Sequence, residues 1–200
     1  MALINTPSLR TLFDPKSVAI VGASSDPVKL GGRPIDNMKV AQYAGRLIPI
    51  NARIDADNAA MLLREADVVL DGCDSFATRL VVADAAQALR MPLVSAAVGP
   101  FEGQLATYRG WETDKPCYRC LVGSPVDAPE RNCSETGVIG ALTGVMGSLA
   151  ALEVIRSLAP FGTDMAGQLL IADLLAMRFR TLGVPKDPAC PGCAAELCAP

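Results

Sequence analysis

The 200-residue sequence contains no histidine. Proton transfer at a cysteine of this chain would therefore have to use a lysine, a carboxylate or water. An excess of positive charge is also lacking, since 18 Lys and Arg residues face 21 Asp and Glu residues and the formal net charge is -3. The basic residues are scattered along the chain, so the sequence offers no electrostatic basis for holding a phosphate backbone. We expect no nucleic acid partner.

Signals for secretion and membrane insertion are missing as well. The amino terminus does not combine a basic start, an apolar middle and a small-residue cleavage site. The most apolar stretch, from Val138 to Leu152, ends at Glu153 and is too short to span a bilayer. Seven cysteines without a secretory signal fit reduced thiols better than a disulfide framework. We therefore expect a cytoplasmic protein without a membrane segment.

Short apolar runs alternate with helical segments through the first half of the chain. Because these runs are apolar on both faces, they predict a parallel sheet covered by helices on both sides. The predicted elements are a strand at 17–23, a helix at 29–43, a strand at 46–50, a helix at 55–66 with Asp55 as its N-cap, a strand at 67–72, a helix at 75–89 and a strand at 92–98.

The pattern changes after Gly99. Residues 101–111 alternate in polarity, which predicts antiparallel strands, and a loop rich in Cys, Pro and Gly follows at 113–131. A long apolar helix at 137–158 and a hairpin at 167–184, turning near 173–176, complete the prediction. The expected fold class is α/β, with a Rossmann-like, mostly parallel sheet, helices on both faces and an antiparallel C-terminal extension.

Four cysteines form two Cys-x-x-Cys pairs, Cys117 with Cys120 and Cys190 with Cys193. Two sulfurs at this spacing can grip one side of a tetrahedral ion, and two such pairs complete its shell. This set, named here the cysteine clip, predicts a structural zinc ion without an open position for water. The alternatives are a redox pair or buried thiols, but a thioredoxin-type motif needs one pair at a helix start, whereas both pairs are expected in loops beside proline.

From Asn51 onward the sequence resembles the C-terminal part of the MoeB/ThiF family, bacterial relatives of ubiquitin-activating enzymes. The resemblance implies ATP-dependent adenylation of the C-terminus of a ubiquitin-like sulfur carrier protein, with Mg²⁺ as cofactor, and it allows a homodimer. It rests on INARIDADNA (50–59), DVVLDGCDSFATR (67–79), PLVSAAVGPFEGQLATY (92–108), CYRCLVG (117–123), NCSETGVIGALTGVMGSLAALEVI (132–155), FRTLGV (179–184) and DPACPGC (187–193).

The resemblance assigns roles to three residues. Asp74 matches the family aspartate that helps to hold the magnesium of bound ATP, and Asp71 matches the first acid of the same motif. The alternative for Asp74 is a helix N-cap, and Ser75 departs from the asparagine that the family has there. Cys133 matches a cysteine that in some members bonds covalently to the activated carrier, with Arg131 nearby. Its alternative is an inert loop thiol.

The first fifty residues lack the family's G-x-G-G-x-G loop, its ribose-binding acid and its phosphate-clamping cations. Residues 12–32, LFDPKSVAIVGASSDPVKLGG, instead resemble the CoA-binding domain of ADP-forming acyl-CoA synthetases. This resemblance places Gly22, Ala23 and Ser24 at a strand-to-helix turn whose amides can receive phosphate. The alternative is that the glycine only permits a tight turn.

We expect residues 1–50 and 51–200 to form one domain around one common sheet, because both resembled families are Rossmann-like. Three functions stay open at this point. The chain is an adenylyltransferase impaired by its missing phosphate clamps, a CoA- or nucleotide-binding module without that chemistry, or a zinc-stabilised scaffold. The ligand candidates are Zn²⁺, ATP with Mg²⁺, and CoA.

Overall fold

A computed structural model describes residues 15–123 and 137–194. Every predicted strand and helix is present, generally with narrower bounds, and a short helix at the first cysteine pair is additional. The elements are β1 (Ser17–Val21), α1 (Arg33–Val40), β2 (Arg46–Ile50), α2 (Ala59–Leu63), β3 (Val69–Asp71), α3 (Phe76–Ala88), β4 (Leu93–Val98), β5 (Glu102–Tyr108), α4 (Tyr118–Val122), α5 (Gly140–Leu158), β6 (Gln168–Asp173) and β7 (Arg178–Gly183).

The chain divides into two compact units, Met1–Asp55 and Ala56–Pro200, close to the junction predicted at residues 50 and 51. The described strands form two sheets, one with the order β1-β2 and one with the order β3-β4-β5-β6-β7. The expectation of one common sheet is therefore wrong for the described strands. That the two segments together make one domain stays a prediction.

In the first unit, α1 connects two parallel strands, with Ser17 opposite Arg46. Gly31 and Gly32, just before α1, allow the backbone there to lie close to the backbone of Gly22 and Asp26. A Cβ atom on Gly31 would collide with the carbonyl oxygen of Gly22, and one on Gly32 with that of Asp26. Only glycine permits this approach of backbone to backbone.

The sheet of the second unit is mixed. The strands β3 and β4 are parallel and joined through α3, whereas β4, β5, β6 and β7 pair in antiparallel fashion. The predicted antiparallel extension after Gly99 is confirmed, but it forms most of this sheet, so the prediction of a mostly parallel sheet is wrong for this unit. The physical reason is loop length: residues 99–101 alone separate β4 from β5, which leaves no room for the crossover that a parallel pair needs.

Helices lie on both faces of this mixed sheet, as predicted. Val94 packs into a buried cluster with Leu142 and Met146 of α5, whereas the next residue, Ser95, bonds to Arg79 of α3. Successive side chains of a strand point to opposite faces, so α5 and α3 cover opposite sides. The cluster on the α5 side comprises Val94, Leu105, Leu142, Met146, Ala150 and Ala172.

By length and composition alone, α5 could cross a membrane, although one such helix is weak evidence; 22% of its apolar window is buried within the described residues. Leu142 and Met146 are each 1% exposed because they face the sheet. Glu153 is also buried, where its carboxylate accepts hydrogen bonds from Thr107 and Arg156. One face of α5 thus completes the core of the second unit.

The N-caps of two helices differ from the residues that the sequence suggested as caps. The N-cap of α2 is Asn58, not Asp55, so this helix is shorter than predicted. The N-cap of α3 is Ser75, whose Oγ accepts the amide of Thr78 at 3.4 Å. The alternative role of Asp74 as the cap of this helix is thereby removed.

We predict that Gly103→Ala destabilises the protein by about 1–3 kcal/mol through overpacking. A Cβ atom at this position of β5 would lie 2.5 Å from Sδ of Met146, which is buried in the core. Gly144→Ala is the matched control, because nothing lies within 4 Å of its added Cβ atom. In the middle of α5 this control should stabilise by up to about 1 kcal/mol.

Urea denaturation of both variants measures these differences in the free energy of unfolding. In the double variant Gly103→Ala/Met146→Ala, the smaller side chain should relieve part of the clash. The double variant should therefore lose less stability than the sum of the losses in the two single variants. Equal stabilities of Gly103→Ala and the parent protein would contradict the described contact between β5 and α5.

Candidate metal centre and strand-end carboxylates

The cysteine clip comes together in space. Sγ of Cys117 lies 3.5 Å from Sγ of Cys190 and 3.9 Å from that of Cys120, and Cys120 lies 3.4 Å from Cys193. All four sulfurs lie within 4.8 Å of one another. A tetrahedral zinc with bonds of about 2.3 Å to sulfur requires sulfur separations of about 3.8 Å. The four cysteines could therefore hold a zinc ion.

The chemistry of the donors also fits a cation. Burial raises the pKa of the Cys193 thiol to about 11 and also raises the pKa of Cys117. Backbone amides donate to two of the sulfurs: Asp187 to Sγ of Cys120 at 3.5 Å and Gly192 to Sγ of Cys190 at 3.4 Å. Four clustered thiolates need a divalent cation to neutralise them. With sulfur at every position, no place is left for a reactive water.

The first cysteine pair does not sit in a loop as expected. Cys117 is the N-cap of α4, and Cys120 lies inside this helix. A pair at a helix start is the arrangement of a redox motif, but here the second pair approaches the same sulfurs. The geometry therefore favours a metal centre over a redox pair.

Three polar residues that the sequence patterns did not indicate hold the clip in place. Lys186 donates to the carbonyl oxygens of Gly110 and Glu112, at 2.7 and 2.8 Å, and so ties the tail to the loop after β5. Arg119 of α4 makes two bonds of 2.6 Å to Asp84 of α3. The clip thus connects the end of the described chain both to α3 and to the sheet.

The two acids of the D-x-x-D motif lie at the carboxyl end of β3. Asp71 is 3% exposed, and its carboxylate accepts hydrogen bonds from Arg79 at 3.1 Å and from the amide of Cys73 at 2.9 Å. Asp74 is exposed, three residues further on and next to the start of α3. Ligands of open α/β sheets bind outside the carboxyl ends of parallel strands, so Asp74 stands at a suitable edge.

Arg79 is a site residue that the sequence patterns did not identify. It is buried, and its guanidinium donates to Asp71, to Oγ of Ser95 at 3.1 Å and to the carbonyl oxygen of Ala96 at 2.7 Å. The sequence feature that could have identified Arg79 is its position in the apolar run ATRLVVA, eight residues after an aspartate that ends a strand.

The turn after β1 differs from a phosphate cradle. The amide of Ala23 donates to Ile50 at 3.0 Å and that of Ser24 to Gly31 at 3.2 Å, so phosphate binding would require these bonds to break. The next helix, α1, begins only at Arg33. Gly22 adopts φ +76°, which supports its role in a tight turn. Phosphate binding here stays a prediction, and Cys133 and Arg131 lie outside the described residues.

Comparison with known proteins places most of the chain in one family. The ThiF family matches residues 38–192, which begins earlier than the predicted match at Asn51. The chain is 41% identical over 148 residues to a sulfur carrier protein adenylyltransferase of Thermus thermophilus, covering 72% of this chain and 55% of the relative. It is 38% identical over 163 residues to an adenylyltransferase and sulfurtransferase MOCS3 of Caenorhabditis briggsae, covering 80% and 40%.

Solved structures agree at the level of the fold. Escherichia coli MccB, crystallised with MccA-N7isoASN, superposes with a TM-score of 0.67 at 14% identity, covering 81% of this chain and 50% of MccB. PaaA superposes with a TM-score of 0.64 at 13% identity, covering 90% and 67%. The chain spans about half or less of the length of the two curated relatives. Since the family match extends over more than half of the sequence, the chain belongs to the ThiF family.

Proposed function

We propose that this chain binds ATP with Mg²⁺ at the carboxyl end of β3 and adenylates the C-terminal carboxylate of a ubiquitin-like sulfur carrier protein. The observation that carries the proposal is the exposed Asp74 beside the start of α3, in a chain that belongs to the ThiF family. The names of the relatives support it, since they include a sulfur carrier protein adenylyltransferase and a SAMP-activating enzyme E1.

In this reaction a carrier carboxylate oxygen attacks the α-phosphorus of ATP, an acyl-adenylate forms and pyrophosphate leaves. Magnesium supplies neutralising charge on the phosphate oxygens. In this chain the Asp74 carboxylate would hold that cation. The carboxylate of Asp71, three residues earlier, is fixed in place by its bond to Arg79. A carboxylate is the ligand that Mg²⁺ prefers in nucleotide sites.

The proposed activity is impaired. The first fifty residues contain neither a G-x-G-G-x-G loop nor the phosphate-clamping cations of the family. Each missing clamp is worth about a hundredfold or more in rate, because preorganised positive charge stabilises the transition state.

A second candidate is a CoA- or nucleotide-binding module without adenylation, favoured by the same missing clamps. CoA binding at Gly22, Ala23 and Ser24 belongs to this candidate, and the engaged amides of Ala23 and Ser24 weigh against it. In either case we propose a structural zinc ion in the cysteine clip and a soluble, cytoplasmic protein. The carrier, a homodimer and a covalent role of Cys133 belong to the first candidate.

We predict one tightly bound zinc per chain and its loss in Cys190→Ser. Thiolate ligation contributes directly to folding, so the variant should unfold at a lower temperature and its residues 184–194 should exchange amide hydrogens faster. Elemental analysis of protein purified without chelator measures the metal. Cys73→Ser is the matched control, because Cys73 is not among the four clustered cysteines and its loss should leave the zinc content unchanged. A metal-free parent protein would contradict the proposed centre.

We predict weak carrier-stimulated release of pyrophosphate from Mg·ATP, with AMP formed as water hydrolyses the acyl-adenylate, at a rate at least about a hundredfold below that of an intact family enzyme. Any turnover should be lost in Asp74→Ala but kept in Asp67→Ala, an exposed aspartate before the opposite end of β3. The assay uses a ubiquitin-like sulfur carrier protein, with the same carrier lacking its last two residues as the substrate control.

Equal turnover in Asp74→Ala and Asp67→Ala would contradict the assignment of Asp74 as the magnesium ligand. Robust turnover that depends on Asp74 would show that other cations replace the missing clamps. Binding of Mg·ATP without any AMP or pyrophosphate formation would support the second candidate.

A further inference from the structure

Arg79 holds together the three elements around the proposed nucleotide site. It belongs to α3, while its guanidinium bonds to Asp71 at the end of β3 and to Ser95 and Ala96 in β4. The side chains of Arg79 and Asp71 are only 10% and 1% exposed. A buried pair of this kind is costly to break, because the remaining charge would have no partner.

The pair also fixes the segment that carries Asp74. Residues 71–75, named here the carboxylate loop, connect β3 to α3. At its start, the Oδ1 atom of Asp71 accepts the amide of Cys73 while Oδ2 accepts from Arg79. At its end, Ser75 caps α3. Asp74, an exposed carboxylate, therefore lies between two anchored points, and one of them depends on Arg79.

We propose that Arg79 is a positioning residue for the cation site at Asp74, an inference that rests on the proposed function. Its fork of donors satisfies Asp71, Ser95 and the Ala96 carbonyl at once, so Asp71 is held in the orientation that receives the Cys73 amide. A lysine keeps the charge but cannot bond to all three acceptors in this planar arrangement. The carboxylate loop then loses its anchor while the buried charge stays compensated.

The simpler explanation is that Arg79 only neutralises Asp71 within the fold. Arg79→Lys separates the two roles, because it keeps a positive charge beside Asp71 but loses the planar set of donors that bonds to Asp71, Ser95 and Ala96 together. Arg156→Lys is the matched control: Arg156 pairs with buried Glu153 at 3.0 Å on α5, which covers the opposite face of the sheet. Both changes should lower the unfolding temperature, whereas only Arg79→Lys should alter cation binding.

The experiment uses Mn²⁺ as the probe, titrated by electron paramagnetic resonance into the protein with saturating ATP. We expect Arg79→Lys to bind Mn²⁺ about tenfold to a hundredfold more weakly, as is typical when a residue supporting a metal ligand is lost. Arg156→Lys should bind it as the parent protein does. Hydrogen exchange at the carboxylate loop without ligand should be faster in Arg79→Lys and unchanged in Arg156→Lys.

The outcomes separate this inference from the function on which it rests. If the parent protein binds no Mn²⁺ with ATP, the proposed nucleotide site is wrong. If the parent protein binds Mn²⁺ and a folded Arg79→Lys binds it equally well, this inference alone is overturned. Should Arg79→Lys fail to fold, Ser95→Ala removes one partner of Arg79 and should weaken Mn²⁺ binding in the same direction. Unchanged binding in that variant overturns the inference as well.

Discussion

The ion pair between Asp71 and Arg79 sets the geometry at the carboxyl end of β3. Both side chains are buried, and their desolvation is compensated by their mutual ion pair, by the amide of Cys73 and by Ser95 and Ala96 of the neighbouring strand. These bonds join β3, β4 and α3 at one point. They place one carboxylate inside as a structural anchor and leave the other, that of Asp74, exposed at the sheet edge. The two acids of one short motif thus have different roles.

The cysteine clip extends this organisation to the end of the described chain. Arg119, between the cysteines of the first pair, bonds to Asp84 in α3, the helix that also carries Arg79. Lys186 and the second cysteine pair bind the segment after β7 back to the loop after β5. The strand β7 is exposed along its whole length, and the segment after it is held by the buried Val184 together with the sulfur and lysine contacts. A metal ion could anchor this segment, because bonds from four thiolates to one ion stabilise a segment that buries little apolar surface.

Sequence patterns were sufficient for the elements and for the clip, because apolar periodicity and paired cysteines are local signals. They were insufficient where the structure depends on contacts between residues that are far apart in the sequence. The antiparallel directions of β5, β6 and β7 were predicted correctly, but their pairing with β4 in one sheet, separate from β1 and β2, was not, so the share of parallel strands was overestimated. Arg79 was missed because an arginine in an apolar helix resembles a surface residue until its acceptors on β3 and β4 are known. Phosphate binding at Gly22–Ser24 stays a prediction; the sequence did not indicate that the amides of Ala23 and Ser24 already bond to Ile50 and Gly31.

We propose that a nucleotide-bound cation binds to Asp74 at the carboxyl end of β3. A crystal structure of the protein with ATP and Mg²⁺ is the direct test. We expect a metal within about 2.1 Å of an Asp74 carboxylate oxygen, shared with phosphate oxygens, and an unchanged bond between Asp71 and Arg79. Nucleotide bound elsewhere, with the Asp74 carboxylate touching neither metal nor phosphate, would contradict it.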